Sequence, residues 1–282
     1  MEIRNLENID FDTLFDTFEK AFEDYEIHFD KEEVRSMLKR RGYNPKHSFA
    51  AFDKDRIVAF TLNGTGSFNG IPTAYDTGTG TIKEYRGQGL AAKIFTHSIP
   101  FLKEAGIRQY LLEVLQNNDK AISVYRKMNF KVTHELDCFR QSISLIHNTT
   151  GDAECDILQV NTDTILQTNN YCDILPSWQN SIESLTRAGS DLTSLGAYID
   201  NRLVGHCLID RLTGDIARIA VSKEYRRKGI ASRLLKEALK LMKTDFIKIL
   251  NIDTNDRHLH LFLESKNIPI ASKQFEMLLP FE

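Results

Sequence analysis

Apolar and polar residues recur with two different periods along the first half of the chain, and each period predicts one kind of element. Residues 12–22 carry apolar side chains at helical spacing, so we expect a helix there. A second helix is predicted over 30–40, where Asp30 and Glu33 have the spacing of a capping box. The rest of this half predicts strands at 48–52, 56–63, 73–82, 110–115, 130–135 and 139–146, helices at 90–105 and 119–128, and an open loop at 64–70.

The second half repeats much of this order of elements. A polar, turn-rich segment at 148–152 separates the two halves and is the predicted linker. We therefore expect two domains, residues 1–147 and residues 153–282. The second half predicts strands at 156–160, 194–199, 203–210, 216–221, 246–253 and 273–278, and helices at 177–188, 230–242 and 257–265.

Composition agrees with two ordinary domains and narrows the class of protein. The chain has 282 residues and 41% hydrophobic content, which is enough for two packed cores. A formal charge of -3 gives no electrostatic argument for a nucleic-acid partner. No apolar run approaches the ~20 residues of a membrane span, and the first residues lack the pattern of a signal peptide. Neither a nucleic-acid nor a membrane partner is expected.

The cysteine pattern bears on compartment and on metal binding. The four cysteines lie far apart and form no Cys-x-x-Cys pair, which argues against a zinc site and against a small disulfide scaffold. We expect no metal, and we expect reduced thiols in a cytoplasmic protein. Cys138 and Cys207 lie in strand-like runs and are predicted to be core residues.

A short basic motif with glycine occurs once in each half. The first copy runs from Ile82 to Ala91 and the second from Val221 to Ala231. Both contain Lys-Glu-Tyr-Arg, then a glycine three residues after the arginine and an alanine two residues further on. Each copy follows a predicted strand and opens a predicted helix. Backbone N–H groups at a helix start have no intrahelical partner, and the helix dipole favours an anion there, so each copy predicts a pyrophosphate cradle.

This motif resembles the acyl-CoA-binding motif of the GNAT superfamily of N-acetyltransferases, Arg/Gln-x-x-Gly-x-Gly/Ala. The resemblance implies an α/β (α+β) fold with two tandem GNAT-like domains, each a mixed, mostly antiparallel twisted sheet flanked by helices. It also implies acetyl-CoA as co-substrate. The matching residues are Arg86, Gly89 and Ala91 in the first copy and Arg226, Gly229 and Ala231 in the second. In the first domain the implied cofactor contacts are Thr81, Ile82, Arg86, Gly87, Gln88, Gly89, Leu90, Ala91, Asn118 and Tyr125.

A second segment of the first half bears on catalysis. Acyl transfer to an amine needs a base for the amine, and the departing thiolate benefits from a proton donor. Residues 112–130 resemble the GNAT signature Leu-Glu-Val, an Asn five residues after the Glu, and Tyr-x-Lys-x-Gly-Phe, with Asn129 at the glycine position. The resemblance implies that Tyr125 is the acid and that Glu113, or a water, is the base. Asn118 is expected either to bind the pantetheine arm or to cap the helix.

The corresponding segment of the second half departs from this signature. When the asparagines of the two segments are aligned, Phe262 stands at the place of Tyr125 and Leu250 at the place of Glu113. A phenyl ring cannot donate a proton and leucine cannot accept one. The second domain is therefore expected to be degenerate in catalysis, although Asp253 is a nearby carboxylate that could serve as base.

Together these features predict an acetyl-CoA-dependent N-acetyltransferase in which a primary amine attacks the thioester directly. The alternative is a non-catalytic CoA-sensing or protein-interaction module. The acceptor is left open between a small-molecule amine and a peptide amine, and the protein between a monomer and a homodimer. The predicted acceptor region holds an acidic and aromatic cluster that suits a cationic amine and equally fits a solvated helix end: Asp24, Tyr25, Glu26, His28 and Asp30.

Overall fold

A computed structural model describes residues 1–24, 29–147, 153–168 and 171–281. The chain forms two compact units: Met1–Thr133 with Glu276–Glu282 is unit 1, and His134–Phe275 is unit 2. This division differs from the predicted 1–147 and 153–282, and the predicted linker at 148–152 lies outside the described residues. It differs because the strand that begins at Lys131 pairs with strands of unit 2, while the last residues of the chain pack in unit 1.

Unit 1 is a sheet with helices packed on it. Its strands lie in the order β1-β2-β3-β4-β5, with the end of β12 beside β5, and all the registered pairs are antiparallel except β4 with β5. The elements are β1 (Glu2–Asn5), α1 (Phe11–Ala21), α2 (Lys31–Arg41), β2 (Phe49–Asp53), β3 (Arg56–Phe68), β4 (Ile71–Thr81), α3 (Leu90–Glu104), β5 (Gln109–Leu115), α4 (Asp119–Lys127) and the end of β12 (Ile270–Pro280).

Unit 2 repeats this plan. Its strands lie in the order β6-β11-β10-β9-β8-β7, and the parallel pair is β10 with β11. The predicted fold class is confirmed. The elements are β6 (Lys131–Ser142), β7 (Asp156–Val160), α5 (Thr162–Leu166), α6 (Ile182–Ala188), β8 (Thr193–Ile199), β9 (Arg202–Asp210), β10 (Asp215–Val221), α7 (Ile230–Leu241), β11 (Phe246–Asp253), α8 (Arg257–Ser265) and the start of β12.

Several predicted elements have different bounds in the structure. The loop expected at 64–70 is wrong, because β3 continues to Phe68 and only Asn69 and Gly70 form the turn, both with positive φ as a tight hairpin requires. The two closing strands predicted at 130–135 and 139–146 are the single strand β6. The helix predicted at 177–188 begins only at Ile182, after a short 3₁₀ turn.

Each motif helix is held by a buried stripe at four-residue spacing. In α3 the stripe contains Leu90, Ile94 and Leu102, and in α7 it contains Ile230 and Leu234. Leu90, Ile94, Ile230 and Leu234 pack in the core of their own unit and bury apolar surface, which stabilises each sheet–helix contact. This packing determines where each motif helix begins, and it therefore also positions the loop that precedes each helix. Cys138 and Cys207 are buried free thiols, as predicted.

Candidate active site

The loop between β4 and α3 leaves an open space in front of the helix. Gly87 and Gly89 have left-handed φ angles of 80° and 70°. Gly89 is the N-cap of α3 and makes no side-chain cap hydrogen bond. A Cβ atom at either glycine would meet nothing within 4 Å. Because the N–H groups of the first helical turn lack intrahelical acceptors, this loop fits the pyrophosphate of CoA.

The side chain of Arg86 braces this loop. Its Nη1 donates to Oδ2 of Asp24 at 2.7 Å, its Nη2 to the carbonyl oxygen of Ala21 at 3.0 Å, and its Nε to that of Thr81 at 3.1 Å. Hydrogen bonds from Arg86 and then Lys83 lower the pKa of Asp24. The Arg86 guanidinium thus connects the loop before α3 to the end of α1. Arg86 therefore contributes to the pyrophosphate cradle by holding this loop in shape.

A fork opens between β4 and β5 just before the cradle. The two strands pair in parallel through Thr73 and Ala74 up to the pair Tyr75–Leu111, after which no further pair is registered. On the other side of β4 the register against β3 shifts, so Thr77 forms a β-bulge. A bulge bends its strand, which turns β4 away from β5 and leaves room between them.

Glu113 lies at this fork and is oriented by a buried tyrosine. Tyr75 is 1% exposed, and its hydroxyl donates to Oε2 of Glu113 at 2.6 Å. Burial, and then the charge of Glu113, raise the pKa of Tyr75 well above its usual value, so the phenol stays protonated and remains a donor. The pair therefore holds a carboxylate in a fixed direction at the opening between the strands.

Tyr125 is positioned by an aromatic cluster. Its half-buried ring meets Phe130 edge-on with 5.6 Å between ring centroids, and Phe130 meets Tyr110 in the same way at 5.8 Å. The hydroxyl of Tyr110 donates to Oδ1 of Asn63 on β3 at 2.5 Å. Tyr125 is thereby tied to the sheet through two rings.

Asn118 acts as a helix cap in this structure. Its Oδ1 accepts from the N–H of Ala121 at 3.1 Å and so caps α4. Of the two roles left open by the sequence, capping is the one that its side-chain oxygen fills. The cap fixes the start of the helix that carries Tyr125.

A second carboxyl group, that of Asp76, interacts electrostatically with Glu113 and Tyr110. Burial raises the pKa of Asp76 to about 6, opposed by hydrogen bonds from Thr79 and Gly78. The charge of Glu113 contributes to this rise. Burial likewise raises the pKa of Tyr110, with further contributions from Asp76 and Tyr125. Electrostatic interactions thus couple Asp76 to Glu113 and to Tyr110, and Tyr110 to Tyr125.

Unit 2 repeats the cradle and its brace. Arg226 donates to Oδ2 of Asp173 at 2.5 Å and to the carbonyl oxygens of Tyr171 and Val221 at 2.8 and 3.0 Å. Gly229 is a left-handed N-cap of α7, like Gly89 in unit 1. The strands β10 and β11 pair in parallel at Asp215 and Lys248 and then separate. The cradle, including Ala231, forms part of the wall of a cavity of about 460 Å³ that extends into this fork.

The unit 2 residue that corresponds to Tyr125 in the structure lies one position further along the chain than the residue that the sequence alignment gives. In unit 1 the N–H of Phe130 donates to the carbonyl oxygen of Tyr125, and in unit 2 the N–H of Ile268 donates to that of Leu263. The residue at the place of Tyr125 is therefore Leu263, which is fully buried, and the predicted Phe262 is wrong by one position. Leucine cannot donate a proton either, so the expected loss of the acid is unchanged.

The unit 2 counterpart of Glu113 also differs from the sequence alignment. The register of β11 against β6 changes between Ile249 and Ile252, which is a β-bulge that adds a residue to β11. Leu250 and Asn251 together occupy the place of Glu113, where the sequence predicts Leu250 alone. Neither side chain can take a proton from an ammonium group. Asp253 lies further along β11, where its Oδ2 contacts Nδ1 of His134 at 2.6 Å.

The predicted acceptor cluster is only partly described. Tyr25, Glu26 and His28 lie outside the described residues. Asp24 is bonded to Arg86, and Asp30 caps α2 by accepting from the N–H of Glu33 at 2.8 Å. Its two described members therefore have structural partners. Among the described residues no cluster of three or more His, Cys, Asp or Glu side chains could hold a metal ion.

Sequence reasoning missed two residues of the site, Tyr75 and Asp76, and it assigned Asp24 to the acceptor region and not to the brace of the cradle. Tyr75 and Asp76 lie on the strand before the motif, where alternation shows only that the strand exists. Asp24 and its unit 2 counterpart Asp173 stand at different distances along the chain from their arginines, so no common spacing reveals them. The repetition of the brace is visible only in the folded units.

Several known proteins are similar to this chain. A model of the Acetyltransferase (GNAT) family matches residues 11–130 and 163–265. The chain is 32% identical over 87 residues to N-alpha-acetyltransferase 30 of Schizosaccharomyces pombe, covering 30% of this chain and 58% of that protein. It is 29% identical over 86 residues to N-alpha-acetyltransferase MAK3 of Arabidopsis thaliana, covering 30% and 45%. The chain thus spans about half the length of these curated relatives.

Solved structures resemble the whole chain. A putative acetyltransferase from Pyrococcus horikoshii superposes with a TM-score of 0.71 at 16% identity, covering 100% of this chain and 89% of that one. A tandem GNAT protein from the clavulanic acid biosynthesis pathway gives 0.73 at 11% identity, covering 99% and 98%. At sequence identities of 16% and 11%, this similarity shows a common fold and nothing more.

The chain belongs to the GNAT family of acetyltransferases, and it contains the family fold twice. Its family uses acetyl-CoA as co-substrate. No helix among the described residues is long and apolar enough to cross a bilayer.

Proposed function

We propose that unit 1 transfers the acetyl group of acetyl-CoA to a primary amine by direct attack of the amine on the thioester. The observation that carries this proposal is the bonded pair of Tyr75 and Glu113 at the β4–β5 fork, next to an open helix-start cradle. A fixed carboxylate beside an anion-binding loop is what an amine acetyltransferase requires.

Each group has one task in this mechanism. The first-turn N–H groups that follow Gly89 hold the pyrophosphate. Glu113 takes a proton from the ammonium group of the acceptor, directly or through a water, because only the neutral amine is a nucleophile. Tyr125 gives its phenol proton to the departing thiolate. Tyr75 keeps the Glu113 carboxylate directed into the fork.

The acceptor we propose is the α-amine of a peptide or protein. Two curated relatives are N-alpha-acetyltransferases by name, although each is matched over only part of its length. The carboxyl groups of Glu113 and Asp76 support a cationic acceptor group, since carboxylates stabilise an ammonium ion in a partly buried site.

The test is thiol release from acetyl-CoA with peptides of varied N-terminus and with a panel of small amines. Glu113→Gln should lower kcat by about 10²–10⁴-fold, the usual value of general acid–base help. Glu104→Gln, an exposed glutamate at the end of α3, is the charge-matched control. No release with any amine would refute the activity, and a Glu113→Gln enzyme with the kcat of the control would refute the base.

A further inference from the structure

The two cradles differ in charge, although their braces are alike. Both loops contain Lys-Glu-Tyr-Arg and end at a left-handed glycine N-cap. In each unit the lysine and the arginine of this segment contact one aspartate, so their charges are compensated in the same way. The two residues between the arginine and the N-cap are Gly87 and Gln88 in unit 1 and Arg227 and Lys228 in unit 2. The unit 2 cradle therefore carries two more positive charges.

Both added cations are accessible to a ligand. Arg227 is exposed and forms part of the cavity wall, and within the described part of the chain its side chain makes no hydrogen bond or ion pair. Lys228 is exposed too, and its Nζ lies 4.9 Å from the centre of the Tyr225 ring. The φ of Arg227 is 61°, close to the 80° of Gly87. A left-handed backbone is unfavourable for a residue with a Cβ atom, yet unit 2 has a cation at this position.

Two further cations of the cavity wall, Arg218 and Lys266, are engaged with the protein. Nη2 of Arg218 donates to the carbonyl oxygen of Asn180 at 2.7 Å. Nζ of Lys266 lies 5.8 Å from the centre of the Phe262 ring. Nδ2 of Asn180 donates to the carbonyl oxygen of Leu250 at 2.9 Å, so Asn180 joins β10 to β11 beyond their last registered pair. We assign no ligand contact to Arg218 or Lys266, and the charges that distinguish unit 2 are those of its cradle.

The fork of unit 2 has a hydrogen-bond donor where unit 1 has its proposed base. Asn251 is 3% exposed, forms part of the cavity wall and shares the place of Glu113 with Leu250. Its Oδ1 accepts from Sγ of Cys138 at 3.3 Å, while its Nδ2 has no hydrogen-bond partner among the described residues. An amide N–H can donate to a carbonyl oxygen but cannot take a proton from an ammonium group. With Leu263 at the place of the acid, neither position can move a proton.

We propose that unit 2 is a holding site for acyl-CoA, which binds the thioester more tightly than unit 1 does and does not consume it. Arg227, Lys228 and the first-turn N–H groups of α7 bind the pyrophosphate, and Nδ2 of Asn251 donates to the carbonyl oxygen of the thioester. Free CoA has no carbonyl oxygen on its sulfur, so the site distinguishes the acylated from the free cofactor. Binding at unit 2 stands whether or not unit 1 transfers acetyl groups.

Calorimetric titration of two full-length variants separates the two sites. Gly89→Glu puts bulk and charge into the unit 1 cradle, and Gly229→Glu does the same in unit 2. The Gly89→Glu chain should bind acetyl-CoA at one site, with a Kd about tenfold lower than that of the Gly229→Glu chain, as expected for added hydrogen bonds to a charged group. The difference between the two Kd values should shrink at high salt, because exposed charges are screened.

Further substitutions in the Gly89→Glu chain test each contact. Arg227→Gln should raise the Kd for acetyl-CoA about fivefold to tenfold, whereas Lys236→Gln, an exposed lysine of α7 outside the cavity wall, is the control and should leave it unchanged. Free CoA should bind about fivefold more weakly than acetyl-CoA, and Asn251→Gly should remove this preference. Glycine accepts the φ of 59° at this position. If a thermal melt shows that Asn251→Gly unfolds, Asn251→Asp replaces it, since it also lacks the Nδ2 donor.

Four results would overturn the proposal. The Gly89→Glu chain could fail to bind acetyl-CoA, it could bind acetyl-CoA no more tightly than the Gly229→Glu chain does, it could bind acetyl-CoA and free CoA equally, or it could release CoA from acetyl-CoA when amines are added. Acetyl transfer by the chain with intact Gly89 is assayed separately. Failure of the holding site and failure of the unit 1 enzyme therefore give different results.

Discussion

At the scale of single residues, Tyr125 and Glu113 are expected to act on turnover and not on cofactor affinity. Tyr125→Phe removes one hydroxyl from a ring that keeps its contact with Phe130. We expect kcat to fall by about 10²–10⁴-fold with little change in the Kd for acetyl-CoA, because the proton is needed only in the transition state. Steady-state kinetics and calorimetry measure the two quantities. Tyr198→Phe in unit 2 is the control, and a Tyr125→Phe enzyme within twofold of wild-type kcat would eliminate Tyr125 as the acid.

His206 makes the stability of unit 2 depend on pH. It is fully buried, its Nδ1 lies 2.9 Å from Oγ1 of Thr168, and its ring stacks on Tyr171. Burial, and then the charge of Arg218, lower the pKa of His206 to about 3. The unfolded chain takes up a proton below about pH 6.5 while the folded unit does not, so this residue lowers the free energy of unfolding as the pH falls from about 6.5 to about 3.

The corresponding experiment compares urea unfolding at pH 7.5, 6.0 and 5.0. Each bound proton in the unfolded state is worth about 1.4 kcal/mol per pH unit. His206→Gln should lose stability at pH 7.5 but show a flatter pH dependence than wild type. His97→Gln, at an exposed position, should keep the wild-type slope. Parallel slopes for wild type and His206→Gln would show that His206 does not cause the effect.

Residues inside contiguous motifs could be predicted from the sequence, and residues that act across the fold could not. Gly89, Glu113 and Tyr125 lie in segments whose spacing is local. The hydrogen bond of Tyr75 to Glu113 joins two strands that pair only after folding. The one-residue error at Leu263 has the same origin, because the bulge in β11 changes the count along the chain without a sequence signal.

At the scale of elements, both units use an arginine–aspartate brace between the cradle and a preceding segment. In unit 1, Asp24→Asn removes the charge that Arg86 contacts, while the bonds of Arg86 to Ala21 and Thr81 stay possible. Because the Asp24 side chain is 41% exposed, we expect a modest effect: a rise in the KM for acetyl-CoA of up to about fivefold with unchanged kcat.

Asp173→Asn is the matched variant for this element, since it breaks the same brace with Arg226 in unit 2. It should leave the KM of acetyl transfer unchanged if unit 1 is the catalytic unit. Steady-state kinetics of both variants measure the two KM values for acetyl-CoA. A larger KM effect from Asp173→Asn than from Asp24→Asn would place turnover in unit 2.

The bounds of a helix or strand can be predicted from the sequence where a local signal marks its start or its end. The capping box of Asp30 and Glu33 forms as its spacing predicts. The glycines of 64–70 misled the prediction, because Gly64 lies in a paired strand where a Cβ atom would stand only 2.1 Å from the carbonyl oxygen of Arg41. Glycine is needed there for close approach and not for a turn, and sequence alone does not separate these two uses.

At the scale of the whole molecule, the order of the chain and the membership of the units do not coincide. The predicted domains divide the sequence once, whereas unit 1 includes the last residues of the chain. Loop composition marked a linker at 148–152, but pairing decides which unit a strand joins. β6 pairs with β11 from Leu136 to Ser142, and this long register cannot be read from a turn-rich segment that follows it.

This division predicts that damage near the C-terminus destabilises unit 1. Met277 is fully buried, Oγ1 of Thr133 donates to Oε1 of Glu276 at 2.7 Å, and the N–H of Phe281 donates to the carbonyl oxygen of Arg108 at 2.7 Å. Met277→Ala should cost about 2–5 kcal/mol of stability, as large-to-small changes in a core do. Hydrogen exchange should show the loss of protection in peptides of residues 49–115.

Lys273→Ala, on the same strand but exposed and within unit 2, is the control and should leave the exchange of both units unchanged. The competing assignment is the predicted domain 153–282, in which Met277 would belong to the second core. If Met277→Ala instead lowered protection first in β8 to β11 and left 49–115 protected, the last strand would belong to that core and the unit 1 assignment would be wrong. Acetyl transfer provides an independent measure, because loss of the unit 1 fold should abolish it.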